Sequence, residues 1–400
     1  MVLLPPLLAS LLAALLEPPR LDRRLALHAA CGLAAVPPRP SAASSAPLVA
    51  SWRSTDGFAD SSFIQFDLPA YEAMRDDERR TPLFIEAIRR RISSRPEGSL
   101  LVVEVGTGPF ALLAIAAARA GAKKVYAIEA SAEAAARARE AVRAARLPPS
   151  AVEVLEGLST AVELPEKVDL LVAEIAGSVA SEEGAYATIR DARARFLRRP
   201  FDPASYIPCA CETLCAPASY ALHYALGPPQ FDWTKLKEPL RLNCRDETAQ
   251  LLAPPQRVES LVFADEQLPS SGRVRSALSW RVDGARLEAN ERTYYAELKR
   301  EGAKEAEAAP LARAVARSFS GIAFWPRLLL DPEGTLVVES RGPQGEHQKS
   351  HWQTVLPLLA AKPVPVEPSQ TIRVTFEADL RDGKPDTPLM YTLAAEVSSA

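Results

Sequence analysis

The stretch Glu104-Val105-Gly106-Thr107-Gly108-Pro109-Phe110-Ala111 constrains the fold of this chain more than any other. It lies between an apolar run, SLLVVEVG at 99–106, and a helical pattern at 111–120. Gly106 and Gly108 let the backbone turn tightly and come close to a ligand. Further β-like runs follow at KKVYAIE (123–129), AVEVLEG (151–157) and VDLLVAE (168–174), with a helix pattern at 132–146. Strands alternating with helices of this length predict a parallel α/β sheet. Glu129 ends the second strand, where a carboxylate accepts hydrogen bonds from both hydroxyls of a ribose. Ala111 occupies the third position of a dinucleotide fingerprint, so nicotinamide and S-adenosylmethionine ligands both fit this motif alone.

The rest of the chain divides around that core. Residues 1–55 read as a leader. Its first sixteen residues carry no charge, and the first fifty hold four Arg, no Lys and two acids. An apolar stretch followed by an Arg/Ser-rich, acid-poor stretch has the character of organelle (plastid or mitochondrial) or secretory targeting sequence. Sixteen residues interrupted by Pro5 and Pro6 are too few for a stable membrane span of roughly 20. Residues 56–207 hold N-terminal helices and the α/β unit. After 208 short β-like runs appear, among them ESLVFAD, SALSWRVD, GTLVVES and TIRVTFEADL, which predict an antiparallel β-barrel over 208–400. The formal net charge is −3, from 47 Lys and Arg against 50 Asp and Glu, which argues against direct nucleic-acid binding. The balance conceals an acidic locality. Residues 151–189 carry eight acids and the single base Lys167, a setting suited to a cationic substrate. Cys209, Cys211 and Cys215 have no zinc-finger spacing and read as strand-embedded thiols, so no metal site is expected.

Several separated motifs resemble the protein arginine methyltransferase family, over most of residues 62–400. Tyr71-Glu72-Ala73-Met74-Arg75-Asp76-Asp77-Glu78-Arg79-Arg80-Thr81 is similar to the family's Met-x-x-Asp-x-x-Arg-Thr helix, which lies over the cofactor. VELPEKVDLLVAEIAG (162–177) is similar to the strand entering the family's two-glutamate loop, and Glu174 and Glu183 stand at the family spacing. Ser350-His351-Trp352 resembles the Thr-His-Trp loop, with Ser for Thr.

The resemblance implies a Rossmann-like domain binding S-adenosylmethionine, followed by a β-barrel, acting on Arg-containing protein substrates. The chemistry suits these residue types. A free guanidinium is protonated and its lone pair is delocalised, so it is a poor nucleophile. Two carboxylates hold its planar fork and orient one nitrogen at the methyl group. The resemblance gives that role to Glu174 and Glu183; Glu182 is adjacent, and the sequence does not choose between them. It makes Asp77 and His351 a pair linking the β domain to the site, able to accept a proton or to shape the pocket. Arg80 would meet the methionine carboxylate, Met74 and Tyr71 would touch the cofactor, and Trp352 would line the substrate channel. It also places a helical dimerisation arm near 227–248, hence a homodimer.

Four departures from the family pattern stand out. Phe110 replaces a third glycine, Ser159-Thr160-Ala161 replace acids near the adenine, Ile175-Ala176 replace Trp-Met, and Ala185 replaces a Met. Product type therefore stays open between monomethyl, symmetric and asymmetric. Two rival readings remain: a Rossmann-type methyltransferase for another amine or small molecule, and an inactive scaffold relative.

Overall fold

The structure is a computed structural model and describes residues 47–54, 66–228, 231–268, 272–380 and 389–398. The first strand, β1 (Leu48–Arg53), is followed by helices α1 (Leu68–Arg75) and α2 (Thr81–Ser93). The break between them falls before Pro82, which tolerates only the first turn of a helix. Asp67 caps α1 by accepting from the Ala70 amide. α2 buries Phe84, Ala87, Ile88 and Ile92, a single face at three- and four-residue spacing.

The α/β unit follows as β2 (Leu101–Val105), α3 (Leu112–Arg119), β3 (Lys124–Glu129), α4 (Ala132–Ala144), β4 (Val152–Glu156), β5 (Leu170–Ala173), α5 (Ala185–Arg195) and β6 (Tyr206–Ile207). Its five strands are parallel in the order β4-β3-β2-β5-β6. β2 and β5 are wholly buried apolar runs apart from Glu104, as expected for a parallel sheet covered on both faces. The C-terminal ends of neighbouring strands β2, β3 and β5 therefore deliver Gly106, Glu129 and Glu174 to one edge. That edge is where open α/β sheets bind ligands.

The remaining chain is antiparallel. β7 (Ala210–Tyr220) runs into the short helix α6 (Ala221–Ala225), then β8 (Leu240–Asn243), β9 (Ala249–Leu251), β10 (Gln256–Val262) and β11 (Arg273–Arg281). Helices α7 (Gly284–Arg300) and α8 (Glu305–Ala316) intervene before β12 (Ser318–Phe319), β13 (Gly321–Leu329), β14 (Val337–Glu339), β15 (Gln353–Leu356), β16 (Val364–Pro365), β17 (Thr371–Asp379) and β18 (Met390–Ser398). One sheet runs β10-β7-β13-β15-β8 and another β1-β18-β17-β11. Their inner faces meet in an aromatic core: Phe324 lies 6.0 Å from Trp52 and 5.6 Å from Phe376, and Trp52 stacks on Tyr391 at 5.3 Å. The barrel expected from the sequence is thus a pair of antiparallel sheets closed around shared aromatic side chains.

Three sequence expectations need correction or completion. The composition predicts a leader through residue 55, but β1 pairs with β18 from Leu48↔Ala395 to Arg53↔Met390 and buries Trp52. Its alternation (Trp52 inward, Ser51 and Arg53 outward) is that of a half-buried strand. The targeting character assigned to residues 1–46 lies outside the described residues. The resemblance implies a dimerisation arm near 227–248. The described residues there hold a 3₁₀ turn, Trp233–Lys235, and strand β8, paired with β15. Trp233 is a core residue, packed against Tyr220, His223 and Phe231. Finally, the helical hairpin α7–α8 interrupts the antiparallel strands expected over 208–400. Its signals are local: Asp283 caps α7, and Leu287, Tyr294 and Leu298 fall on one buried face. Pro310 inside α8 and a run of charges obscure that pattern.

Candidate active site

A cavity of about 420 Å³ opens at the C-terminal edge of the parallel sheet, against α1 and the β domain. Tyr71, Met74, Arg80, Gly106, Gly108, Glu129, Glu174, Glu183, His351 and Trp352 all line it. The fold thus brings together residues up to 281 positions apart in the chain, from Tyr71 to Trp352.

The glycine turn forms one wall. Gly106 and Gly108 both take positive φ, 76° and 64°, which glycine adopts without strain. The side chain of Glu129 ties this turn to the end of β3. Its Oε2 accepts from the Gly108 amide at 2.8 Å and its Oε1 from the Ser131 amide at 2.9 Å. Burial raises its pKa, and these amide hydrogen bonds oppose the rise. Each oxygen keeps a lone pair for a ribose hydroxyl. A Cβ at Gly108 would stand 3.4 Å from the Tyr71 ring, so α1 closes directly over the turn. Burial first, then the charges of Glu129 and Glu183, push the Tyr71 phenol up to about 12. Phe110, the departure from the three-glycine pattern, carries the Arg75 guanidinium 4.7 Å above its ring. Ala111 takes up the left-handed conformation at the start of α3 instead, with φ 42°. Ser159 and Thr160, the departure noted beside the adenine position, line the cavity.

Glu104 is a site residue that the sequence reading did not single out. It ends in the same cavity, is fully buried, and accepts from the Thr107 hydroxyl. Burial raises its carboxyl to about 8, so it is largely protonated at neutral pH. An acid inside an otherwise apolar strand, VVEV, was the available signal.

The opposite wall holds the glutamates. Glu174 follows β5 and is held by Arg80, whose Nε donates at 3.0 Å while Nη2 donates to the same oxygen. Arg80 Nη1 donates to Met74 O at 3.2 Å and Thr81 Oγ1 at 3.3 Å. A guanidinium has five donors, so one N–H of Nη2 remains for a ligand carboxylate. The structure separates Glu182 from Glu183. Glu182 is fully buried and paired with Arg241, at 2.9 Å from Nη2 to Oε1 and 3.3 Å from Nη1 to Oε2. Glu183 lines the cavity and Glu182 does not.

The β domain returns to the site through the loop before β15. His351 Nδ1 lies 2.8 Å from Asp77 Oδ2, and the His351 amide donates to the same oxygen at 2.9 Å. Burial opposes the Asp77 charge, but the His351 side chain and amide overcome it and hold the carboxyl at about 2. His351 itself is pushed down, chiefly by burial, against the pull of Asp77. Trp352 Nε1 donates to Ala176 O at 2.7 Å, and Gln353 N donates to Ser178 Oγ at 3.1 Å. The loop carrying His351 is thereby fastened to the loop carrying the glutamates. Cys211 and Cys215 are buried in β7 with their thiols held well above the usual range by desolvation. Among the described residues no group of three or more His, Cys, Asp or Glu is arranged to hold a metal ion. No helix among them is long and apolar enough to cross a membrane.

A parallel sheet with its glycine turn and strand-end acid, joined to an antiparallel domain that completes the cavity, defines a Rossmann-like α/β domain with an appended β domain. A family model for ribosomal protein L11 methyltransferase (PrmA) matches residues 80–182. Protein arginine N-methyltransferase PRMT10 of Arabidopsis thaliana is 43% identical over 97 residues, 24% of this chain and 24% of that protein. Probable protein arginine N-methyltransferase 6 of the same plant is 38% identical over 128 residues, 32% of this chain and 28% of that protein. The chain thus spans about a quarter of the length of these curated relatives in the aligned segment. Among solved structures, the Trypanosoma brucei PRMT1 enzyme-prozyme heterotetrameric complex with AdoHcy aligns at TM-score 0.61 and 18% identity, covering 82% of this chain and 93% of that chain. Arabidopsis thaliana protein arginine methyltransferase 10 aligns at TM-score 0.60 and 20% identity, covering 84% and 94%. Both structures share the two-domain fold of this chain, a parallel α/β unit followed by an antiparallel β domain.

Proposed function

We propose that this protein transfers a methyl group from S-adenosylmethionine to a guanidinium nitrogen of arginine in protein substrates. The observation that carries the reading is the placing of Glu174 and Glu183 in the same cavity as the glycine turn and Glu129. A neutral nucleophile has no use for two facing carboxylates, whereas a guanidinium fork does.

Glu129 and the Gly106–Gly108 turn would hold the adenosine ribose, and Arg80 the amino-acid carboxylate. Tyr71 and Met74 would close over the ligand from α1. When bound, S-adenosylmethionine supplies an electrophilic methyl on a sulfonium. Glu174, locked by Arg80 and by the Ala176 amide at 3.3 Å, presents a fixed carboxylate face. Glu183 presents the second. Between them they orient the substrate fork and hold positive charge on the nitrogens they bind, leaving the third nitrogen more nucleophilic. Placing reactants at about 3–3.5 Å contributes several kcal/mol to the rate. Asp77 fixes the His351 ring by its Nδ1, and burial favours the neutral imidazole, so His351 Nε2 is able to accept the released proton. Trp352 would flank the substrate, and a homodimer belongs to the same reading.

The test is incubation of the full chain with methyl-labelled S-adenosylmethionine and a Gly/Arg-rich peptide, read by mass spectrometry. Labelled methylarginine is expected, and the mass-spectrometric fragments report its regiochemistry. Glu174→Gln and Glu183→Gln should each lower kcat/KM by roughly a hundredfold or more, as loss of a transition-state contact does. Wild-type rates in both variants would remove the two-carboxylate mechanism. Cofactor binding without transfer to any amine would favour a scaffold role.

A further inference from the structure

We propose that Arg241, acting through Glu182, is a positioning residue for Glu183, so that the β domain sets the reach of the second glutamate. This rests on the methyltransferase reading above and adds a determinant of substrate binding outside the cavity.

The loop from Gly177 to Glu183 is held almost residue by residue. Glu182 is 0% exposed, and its carboxylate takes the Arg241 fork in a bidentate pair. The same carboxylate accepts from the Val179 amide at 3.1 Å, curling the loop around its own side chain. Gly177 lies against it so closely that an added Cβ would stand 2.7 Å from Glu182 Cβ. Ala180 N donates to Thr213 Oγ1 of β7 at 2.9 Å, and Ser181 Oγ lies 2.9 Å from the Tyr391 hydroxyl of β18. These anchors come from the β domain, while Glu174 takes its anchor, Arg80, from the helical side. Glu183 follows directly after Glu182 in the chain.

The bidentate pair has a second consequence. Glu182 and Glu183 are adjacent carboxylates, and an arginine substrate is recognised by a carboxylate. Arg241 already fills the Glu182 carboxylate with a guanidinium, so Glu183 alone of the two faces the cavity. A buried carboxylate that loses its partner has to rearrange or take up a proton, because an uncompensated buried charge is costly. Without Arg241 the loop would unwind around Glu182 and carry Glu183 with it. The nucleoside wall, built on α1, β2 and β3, shares none of these contacts.

The experiment compares Arg241→Met, Arg241→Lys, Glu182→Met and the double Arg241→Met/Glu182→Met variant in the full chain. Three quantities are read: peptide KM and kcat, S-adenosylmethionine Kd by calorimetry, and hydrogen exchange of residues 177–184. Arg241→Met should raise peptide KM about tenfold or more, the usual scale for breaking one side of a buried charge pair. It should also speed exchange of the Val179 and Ala180 amides and leave the cofactor Kd within about twofold, because uncoupled sites behave independently. Arg241→Lys, which keeps the charge but not the fork, should fall between wild type and Arg241→Met. The double variant should recover part of the loss, because removing both partners leaves no orphaned charge. Wild-type KM and wild-type exchange in Arg241→Met, or a double variant showing the full sum of the single losses, would overturn the proposal. If Arg241→Met does not fold, the Lys and double variants give the same comparison. If the wild-type chain methylates no arginine peptide, the functional reading fails by itself, and loop exchange alone decides whether Arg241 holds the loop.

Discussion

At the scale of single residues, the site was legible wherever chemistry needs a particular side chain at a fixed spacing. Gly106, Gly108, Glu129 and Glu174 follow from a strand, a turn and a strand end, and the fold places them at one edge. The choice between Glu182 and Glu183 was not legible, because neighbouring glutamates differ only in what surrounds them. Glu104 escaped notice for the opposite reason: a strand acid followed by a glycine turn looks like a local detail. Its environment has a consequence for pH. Burial raises its carboxyl from the usual range to about 8. Between its unfolded and folded values the native state keeps a proton that the unfolded state releases. Stability from this group is therefore present at low pH and declines as pH rises from about 4.5 toward 8, by up to about 1.4 kcal/mol per pH unit. Glu104→Gln stays neutral and keeps its hydrogen-bonding capacity, so it should flatten that decline. Urea midpoints at pH 5 and pH 8 should differ less in Glu104→Gln than in wild type, and an unchanged difference would mean that Glu104 is ionised in the fold.

At the scale of elements, alternation and periodicity located four of the five parallel strands and α1 to α4 within a few residues, but not the two-residue β6 or α5. They located the antiparallel strands less evenly, and missed α7 and α8. The reason is physical. The parallel strands are buried on both faces and read as unbroken apolar runs, whereas the helical hairpin is half exposed, highly charged and interrupted by Pro310. The segment around Trp233 misled for a related reason. A large aromatic in a Pro-rich insertion fits an exposed arm or a core plug equally well in sequence. In the fold Trp233 is 2% exposed, and its Nε1 donates to Leu226 O. Trp233→Ala should therefore act on stability and not primarily on association, costing about 3–5 kcal/mol as other buried aromatic truncations do. Chemical denaturation gives that number. Sedimentation of the folded variant should return the wild-type mass, and a native-like midpoint with a lost oligomer would give Trp233 to a dimer interface.

At the scale of the whole molecule, the cavity exists only because two domains close on each other. Asp77 meets His351, Ala176 meets Trp352, Ser178 meets Gln353 and Glu182 meets Arg241, each pair joining the α/β side to the β side. The β side is itself closed by β1, which the sequence reading assigned to a leader. Period-two alternation over six residues is a weak signal beside fifty residues of unusual composition, so β1 could be recognised only from its partner β18. Its burial has a measurable consequence at a distance from the site. Trp52 stacks on Tyr391, and the Tyr391 hydroxyl lies 2.9 Å from Ser181 Oγ in the glutamate loop. Trp52→Ala should cost about 3–5 kcal/mol of stability through the lost aromatic packing. Because the domains share these contacts, the loss should appear as a lower midpoint of one common unfolding transition, seen alike by far-ultraviolet dichroism and by tryptophan fluorescence. A chain beginning at residue 55 should lose at least as much, since it also leaves the β18 edge unpaired. Two separated transitions in Trp52→Ala, with the α/β domain melting at the wild-type midpoint, would show that the β domain closes the cavity without stabilising the domain it closes on.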